Sequence, residues 1–282
     1  MMHMRTAQKI ALARMGYKTI RLGRSLIGKT GPARVKRSGF RWELDLSEVI
    51  EFCVFLFGAF EGKTIKLYRR VVKEGFTVID VGGNIGSHAL PLAARVGPTG
   101  RVLSLEPSSS AFRKLQLNVA LNPEIAQRIT LIQTLVVAPG TKAVDAEVYS
   151  SWPFESTAAL HEKHRGQLTS TEGATALTLD EIVKAQGLTR VDLIKIDVEG
   201  HEYRVLQGAV ETIKKFKPMI VIELAPSFYQ TNPEEFDGIF TVLENFKPSM
   251  SDVNTGAPLA FDAQAMRAEI PDGSSRNVLL RF

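Results

Sequence analysis

From Thr77 to the C-terminus, short apolar runs alternate with segments of helical period, and this alternation restricts the fold more than any other property of the chain. Residues 77–81, 101–106, 129–137, 192–197 and 219–224 read as strands. Between them, residues 87–96, 109–118, 179–186, 202–216 and 233–245 read as helices. Strands that alternate with helices predict a parallel sheet covered on both faces, an α/β fold. Two further strands are expected near 248–253 and 276–282. Residues 139–176 score poorly as helix and are expected to be irregular or β-rich.

Upstream, two segments differ in character. Residues 1–39 form a basic arm, with a helix expected over 5–28 and Gly28 and Gly31-Pro32 ending it. Leu12, Met15, Leu22 and Leu26 share one face of that helix, and Arg14, Lys18 and Arg21 another. Residues 1–42 carry eleven Lys and Arg and no acid; set against a net charge of +5, they leave −6 for the rest. An arm of this kind suits packing on the body or on a second subunit, contact with an anionic surface, or a transit peptide. Residues 40–76 form a lead-in of one strand and broken helices, and 77–282 the main domain. Cys53 cannot form an internal disulfide and reads as a small core residue. No segment is long and apolar enough to span a membrane, and a cytoplasmic location is expected.

The first strand ends in Asp80-Val81-Gly82-Gly83-Asn84-Ile85-Gly86. Glycines let such a turn bend tightly and let a ligand approach the backbone, in the crevice where open α/β sheets bind ligands. Gly82, Gly83 and Gly86 do not satisfy the Gly-x-Gly-x-x-Gly spacing of dinucleotide-binding turns, which argues against a dehydrogenase. Asp80 before the turn suits a cationic ligand or an amino group. About twenty residues on, Glu106 ends the second strand, where a carboxylate can accept hydrogen bonds from both hydroxyls of a ribose.

Asp197, Glu199, His201 and Glu202 crowd the end of the fourth strand, at the same sheet edge. Asp197 and His201 are candidates for a base that takes a proton from a substrate hydroxyl, and Asp197 could instead hold an amino group. Glu202 reads equally as a helix N-terminal charge. Lys195 inside an apolar strand is either paired with a carboxylate or pointed at the substrate. Lys195, Glu199 and Glu223, which ends the fifth strand, are candidates for acceptor contacts. Glu223 and Asp197 could also share a divalent cation, but no metal is expected and no Cys/His cluster points to zinc.

These stretches resemble the FkbM-type methyltransferases: the strand Phe40-Arg41-Trp42-Glu43-Leu44-Asp45-Leu46, the turn at 80–86, and Ile194-Lys195-Ile196-Asp197-Val198-Glu199-Gly200-His201-Glu202 running on to Val205-Leu206-Gln207-Gly208-Ala209. The resemblance covers about residue 40 to the C-terminus. It implies a class I, Rossmann-like fold with a seven-stranded sheet, helices on both faces, and a last strand at 276–282 antiparallel to the others. It implies S-adenosylmethionine as donor, with Asp80, Gly82, Gly83, Asn84 and Gly86 around its amino-acid end and Glu106 on its ribose. Adenine would lie near Gln133–Leu135, although no Asp follows that strand as in the commoner pattern. The expected acceptor is a hydroxyl of a sugar, glycan or secondary metabolite, and Trp152, Phe154, His161 and His164 are candidates to line its pocket.

Two other readings remain open. An RNA methyltransferase guided by the arm would bind nucleic acid salt-sensitively, but the acidic body argues against nucleic acid. A non-catalytic protein of the same fold would be expected to have lost the glycine turn or the polar strand ends. Peripheral membrane contact through the arm and a homo-oligomer are further expectations for partners.

Overall fold

A computed structural model describes residues 6–154 and 166–282, with side chains from Gly16 onward apart from Ser151. Counted in chain order, the central sheet holds β1 (Thr77–Val81), β2 (Arg101–Leu105), β3 (Ile129–Ile132), β4 (Leu193–Ile196), β5 (Met219–Leu224), β6 (Ser249–Asp252), β7 (Pro258–Leu259) and β8 (Arg276–Arg281). Their order is β7-β6-β8-β5-β4-β1-β2-β3. The strands from β1 to β5 pair in parallel, and β8 runs antiparallel to β5 and β6. The expected antiparallel last strand is therefore present. The sheet has eight strands rather than seven, because the two-residue β7 folds back on β6 at the edge.

Two other expectations are corrected. The third strand does not run unbroken over 129–137. It stops at Ile132, and Thr134–Val136 leaves the sheet to pair in parallel with Thr175–Leu177. The helix over 202–216 is two helices, Glu202–Gln207 and Val210–Phe216. The break falls at Gly208, where a β-carbon would stand 2.4 Å from the Val137 carbonyl oxygen.

Alternation along the strands sends side chains to two cores. Ile79, Ile194 and Ile222 face the helices Leu179–Ala185, Val210–Phe216 and Pro233–Glu244. Val78, Leu193 and Val221 face Val49–Phe57, Gly62–Val71, Ala89–Arg95 and Ser109–Ala120. The lead-in strand Phe40–Leu44 forms a hairpin with Ala33–Arg37, which straddles the expected junction at 39/40. Trp42, 2% exposed, ties this hairpin into the second core. Cys53 is half-buried and burial pushes its thiol up, in keeping with a packing role. The arm helix spans Thr6–Leu26. Among the described residues no helix is long and apolar enough to cross a membrane.

Candidate active site

The carboxyl ends of β1, β2, β4 and β5 open into a cavity of about 340 Å³. The glycine turn forms one wall. Gly82 and Gly83 both donate to the Leu105 carbonyl at 2.9 Å, which pins the turn to the end of β2. A β-carbon on Gly82 would stand 2.0 Å from the Asp197 carbonyl oxygen, and one on Gly83 2.2 Å from Ser104 Oγ. Gly86, with φ 94°, backs onto Leu115. The protein's own packing thus demands these glycines. Gly82 and Asn84 face the cavity; Gly83 and Gly86 stand behind it.

Glu106 forms the second wall and is 3% exposed. One of its oxygens accepts from Asn84 N–H and the other from Ser108 N–H, each at 2.9 Å. Burial nevertheless raises its carboxyl to about 7. Leu105, Pro107, Thr134 and Leu135 line the cavity beside it. Gln133, expected at the adenine, does not line it. The break in the third strand turns its amide away, and Nε2 donates to the Glu172 carbonyl at 2.8 Å.

Beneath the turn, strand register sets Ser104, Asp80 and Lys195 side by side on three neighbouring strands. Asp80, at 0% exposure, lies below the cavity rather than in its lining. Ser104 Oγ donates to it at 3.2 Å, and Lys195 Nζ lies 3.6 Å away. Lys195 Nζ also lies 3.2 Å from Asp197 Oδ2 and donates to the Gly82 carbonyl at 3.2 Å. Burial alone would push this ammonium down, but Asp197, Asp80 and Glu61 hold it above its ordinary value. Lys195 is therefore paired with carboxylates, and it also lines the cavity.

Burial pushes Asp197 up, but Lys195 overrides it and keeps the carboxyl below its ordinary range, so Asp197 is ionised at neutral pH. Burial and then Asp197 drive Glu199 and Glu223 well above theirs. The loop after β4 is shaped by Glu202, which accepts from Val198 and Gly200 N–H and from the Tyr229 hydroxyl. Glu202 is 1% exposed and structural. It closes a turn in which Glu199 and Gly200 take φ of 52° and 94°. His201 edges the cavity, with Nε2 3.5 Å from Asp145 Oδ2.

The model of the methyltransferase FkbM domain family matches residues 80–248, from the buried aspartate before the glycine turn to the start of β6. The chain belongs to this family. Methyltransferase sdnD of Sordaria araneosa is 29% identical over 171 residues, covering 52% of this chain and 65% of that protein. The hexuronic acid methyltransferase AglP of Haloferax volcanii is 27% identical over 164 residues, covering 57% and 61%. The chain spans less than two thirds of the length of these relatives. Among solved structures, methyltransferase FkbM from Methylobacillus flagellatus superposes with a TM-score of 0.46 at 17% identity, over 77% of this chain and 50% of that one.

Sequence reasoning missed one side of this FkbM-family cavity. His88 and Glu61 both line it, with His88 Nε2 3.5 Å from Glu61 Oε2 and Nδ1 3.0 Å from the Tyr68 hydroxyl. Burial lowers His88 to about 3, so its ring is neutral. His88 follows the glycine turn by two residues, a signal that was available. Glu61 comes from the lead-in, where no motif marks it. Trp152 and Phe154, expected at the acceptor, line the cavity; His161 and His164 lie outside the described residues. Two trios, Glu61–His88–Asp197 and Asp197–Glu199–Glu223, bring their ligand atoms within 4.8 Å of one another and could hold a metal ion.

Proposed function

We propose that this chain transfers a methyl group from S-adenosylmethionine to a hydroxyl of a small acceptor, a sugar or a hydroxylated metabolite. One observation carries the reading. The cavity gathers Glu61, Glu106, Asp197, Glu199 and Glu223 around the ammonium of Lys195. The site is closed enough to raise four of those five carboxyl groups. Such a surplus of carboxyls favours a cationic occupant.

The residues fit the sulfonium cofactor. Glu106, its oxygens fixed by two backbone donors, suits the ribose hydroxyls. Gly82 and Asn84 with Asp197 suit the amino-acid end, and Leu105, Pro107 and Leu135 the adenine. Glu199 Oε2 is buried without a hydrogen-bond partner, which suits a donor brought by a ligand. When bound, the cofactor supplies a methyl already activated on sulfur, so the protein's main task is orientation. Asp197, kept ionised by Lys195, accepts the proton of the acceptor hydroxyl. Val49, Ile50, Trp152 and Phe154 line the cavity and limit water around the reacting atoms.

A sugar acid or related metabolite is favoured by the relative named for hexuronic acid methylation. The test is transfer of labelled methyl onto uronic acids, neutral sugars and hydroxylated metabolites. Methyl ether product on at least one of them, lost in Asp197→Asn, supports the proposal, and ester product alone refutes it. Methylation of amines alone, or no product on any of them from protein that binds the cofactor, refutes it.

A further inference from the structure

The last turns of the arm helix hold Leu22 and Leu26 away from the body. Tyr17, 6% exposed, anchors the helix by stacking on Phe154 at 5.1 Å between centroids and meeting Phe52 edge-on at 6.1 Å. At about 100° per residue, Leu22 and Leu26 lie on the far side of the helix from Tyr17. They are 63% and 80% exposed, and Ile27, just beyond the helix, is 68% exposed. Arg24 fixes this end by donating to the carbonyls of Gly31 at 2.6 Å and Lys29 at 3.4 Å. Of the seven exposed large apolar side chains among the described residues, three belong to this helix end. Apolar side chains gathered in this way mark a contact surface rather than chance exposure.

Charge selects the occupant. Lys18, Lys29 and Lys36 are exposed in the same arm; residues 1–42 hold eleven positive charges and no negative one, and the rest of the chain carries a net −6. A second copy meeting this face through the same face would set the two basic arms against each other. Nucleic acid would satisfy the lysines but offers no apolar phase for Leu22, Leu26 and Ile27. An anionic bilayer satisfies both, because acyl chains take the leucines while headgroups take the ammonium groups. The acidic body is repelled from the same surface, which orients the molecule. We propose that the arm docks this chain on anionic lipid, with Leu22, Leu26 and Ile27 in the bilayer interface and its lysines at the headgroups.

The test is co-sedimentation of the full chain with vesicles of phosphatidylcholine, alone or with about 30 mol % phosphatidylserine. Binding is expected to the mixed vesicles and not to the neutral ones, with loss at about 0.5 M salt. Leu22→Gln/Leu26→Gln/Ile27→Gln is expected to weaken partitioning at least about tenfold. Lys18→Gln/Lys29→Gln/Lys36→Gln is expected to weaken it about a hundredfold. Neither triple variant touches the cavity, so titration with S-adenosylmethionine reports folding and the cofactor site separately and is expected to match wild type. Failure to bind mixed vesicles, equal binding to neutral ones, or full partitioning by the leucine variant would overturn the proposal. So would a dimer in sedimentation velocity that the leucine variant dissolves, or tighter binding to RNA than to the mixed vesicles.

Discussion

A β-carbon on Gly82 would stand 2.0 Å from the carbonyl oxygen of Asp197, so the glycine turn and the end of β4 meet backbone to backbone. Gly82 also takes φ of 84°, which L side chains rarely adopt. Gly82→Ala must part the two strand ends. It is expected to cost at least about 2 kcal/mol and to weaken cofactor binding, read as a lower urea midpoint and a raised dissociation constant. A wild-type midpoint would show that the strand ends separate freely.

Lys195 sits between Asp80, 3.6 Å away, and Asp197, 3.2 Å away, at 3% exposure. Lys195→Met leaves a carboxylate at 0% exposure without its cation, an effect expected to cost about 3–5 kcal/mol. Asp80→Asn in that background removes the stranded charge and is expected to recover part of the loss. Urea unfolding of the single and double variants measures the coupling. A double variant no more stable than Lys195→Met would contradict the pairing.

What the sequence reveals of this fold depends on how locally each feature is determined. The strands β1, β2, β4 and β5 are legible because an apolar run bounded by a turn needs no distant partner to be recognised. Glu106 and Asp197 are legible because both end such strands. The break at Gln133 is not, since it depends on Thr134–Val136 finding Thr175–Leu177 some forty residues away. Asp80 reads as a cavity residue from position alone, but register places it against Ser104 and Lys195, beneath the lining. Glu61 is invisible for the same reason: only tertiary packing of the lead-in, tied by Asn277 donating to Glu61 at 2.5 Å, brings it to the site.

Burial raises Glu106 to about 7 from 4.5. Between those values the folded chain holds a proton there that the unfolded chain has lost, so stability falls as pH rises. His88, lowered to about 3, acts in the opposite sense up to about 6.5, because only the unfolded chain is protonated there. The difference between wild type and Glu106→Gln isolates the carboxyl. Raising pH from about 5.5 to about 7 is expected to cost wild type about 2 kcal/mol more than the variant. Equal pH slopes in urea denaturation would return Glu106 to an ordinary carboxylate.

The proton-transfer role proposed for the strand end is expected to fall unequally on Asp197 and His201. Asp197 is held ionised by a buried ammonium, whereas His201 sits at the edge with Asp145. At saturating cofactor, Asp197→Asn is expected to lower kcat by about 10²–10⁴, and His201→Ala by less than about tenfold. Comparable losses in both would move the base to the histidine.

The crevice at the ends of β1, β2 and β4, walled by carboxyl groups, is proposed to bind S-adenosylmethionine, with Glu106 on its ribose. Calorimetric titration of the full chain with this cofactor tests it most directly. One site per chain is expected, with Glu106→Gln weakening the affinity by at least about tenfold. No heat of binding into the millimolar range, or a Glu106→Gln variant that binds as tightly as wild type, would contradict it.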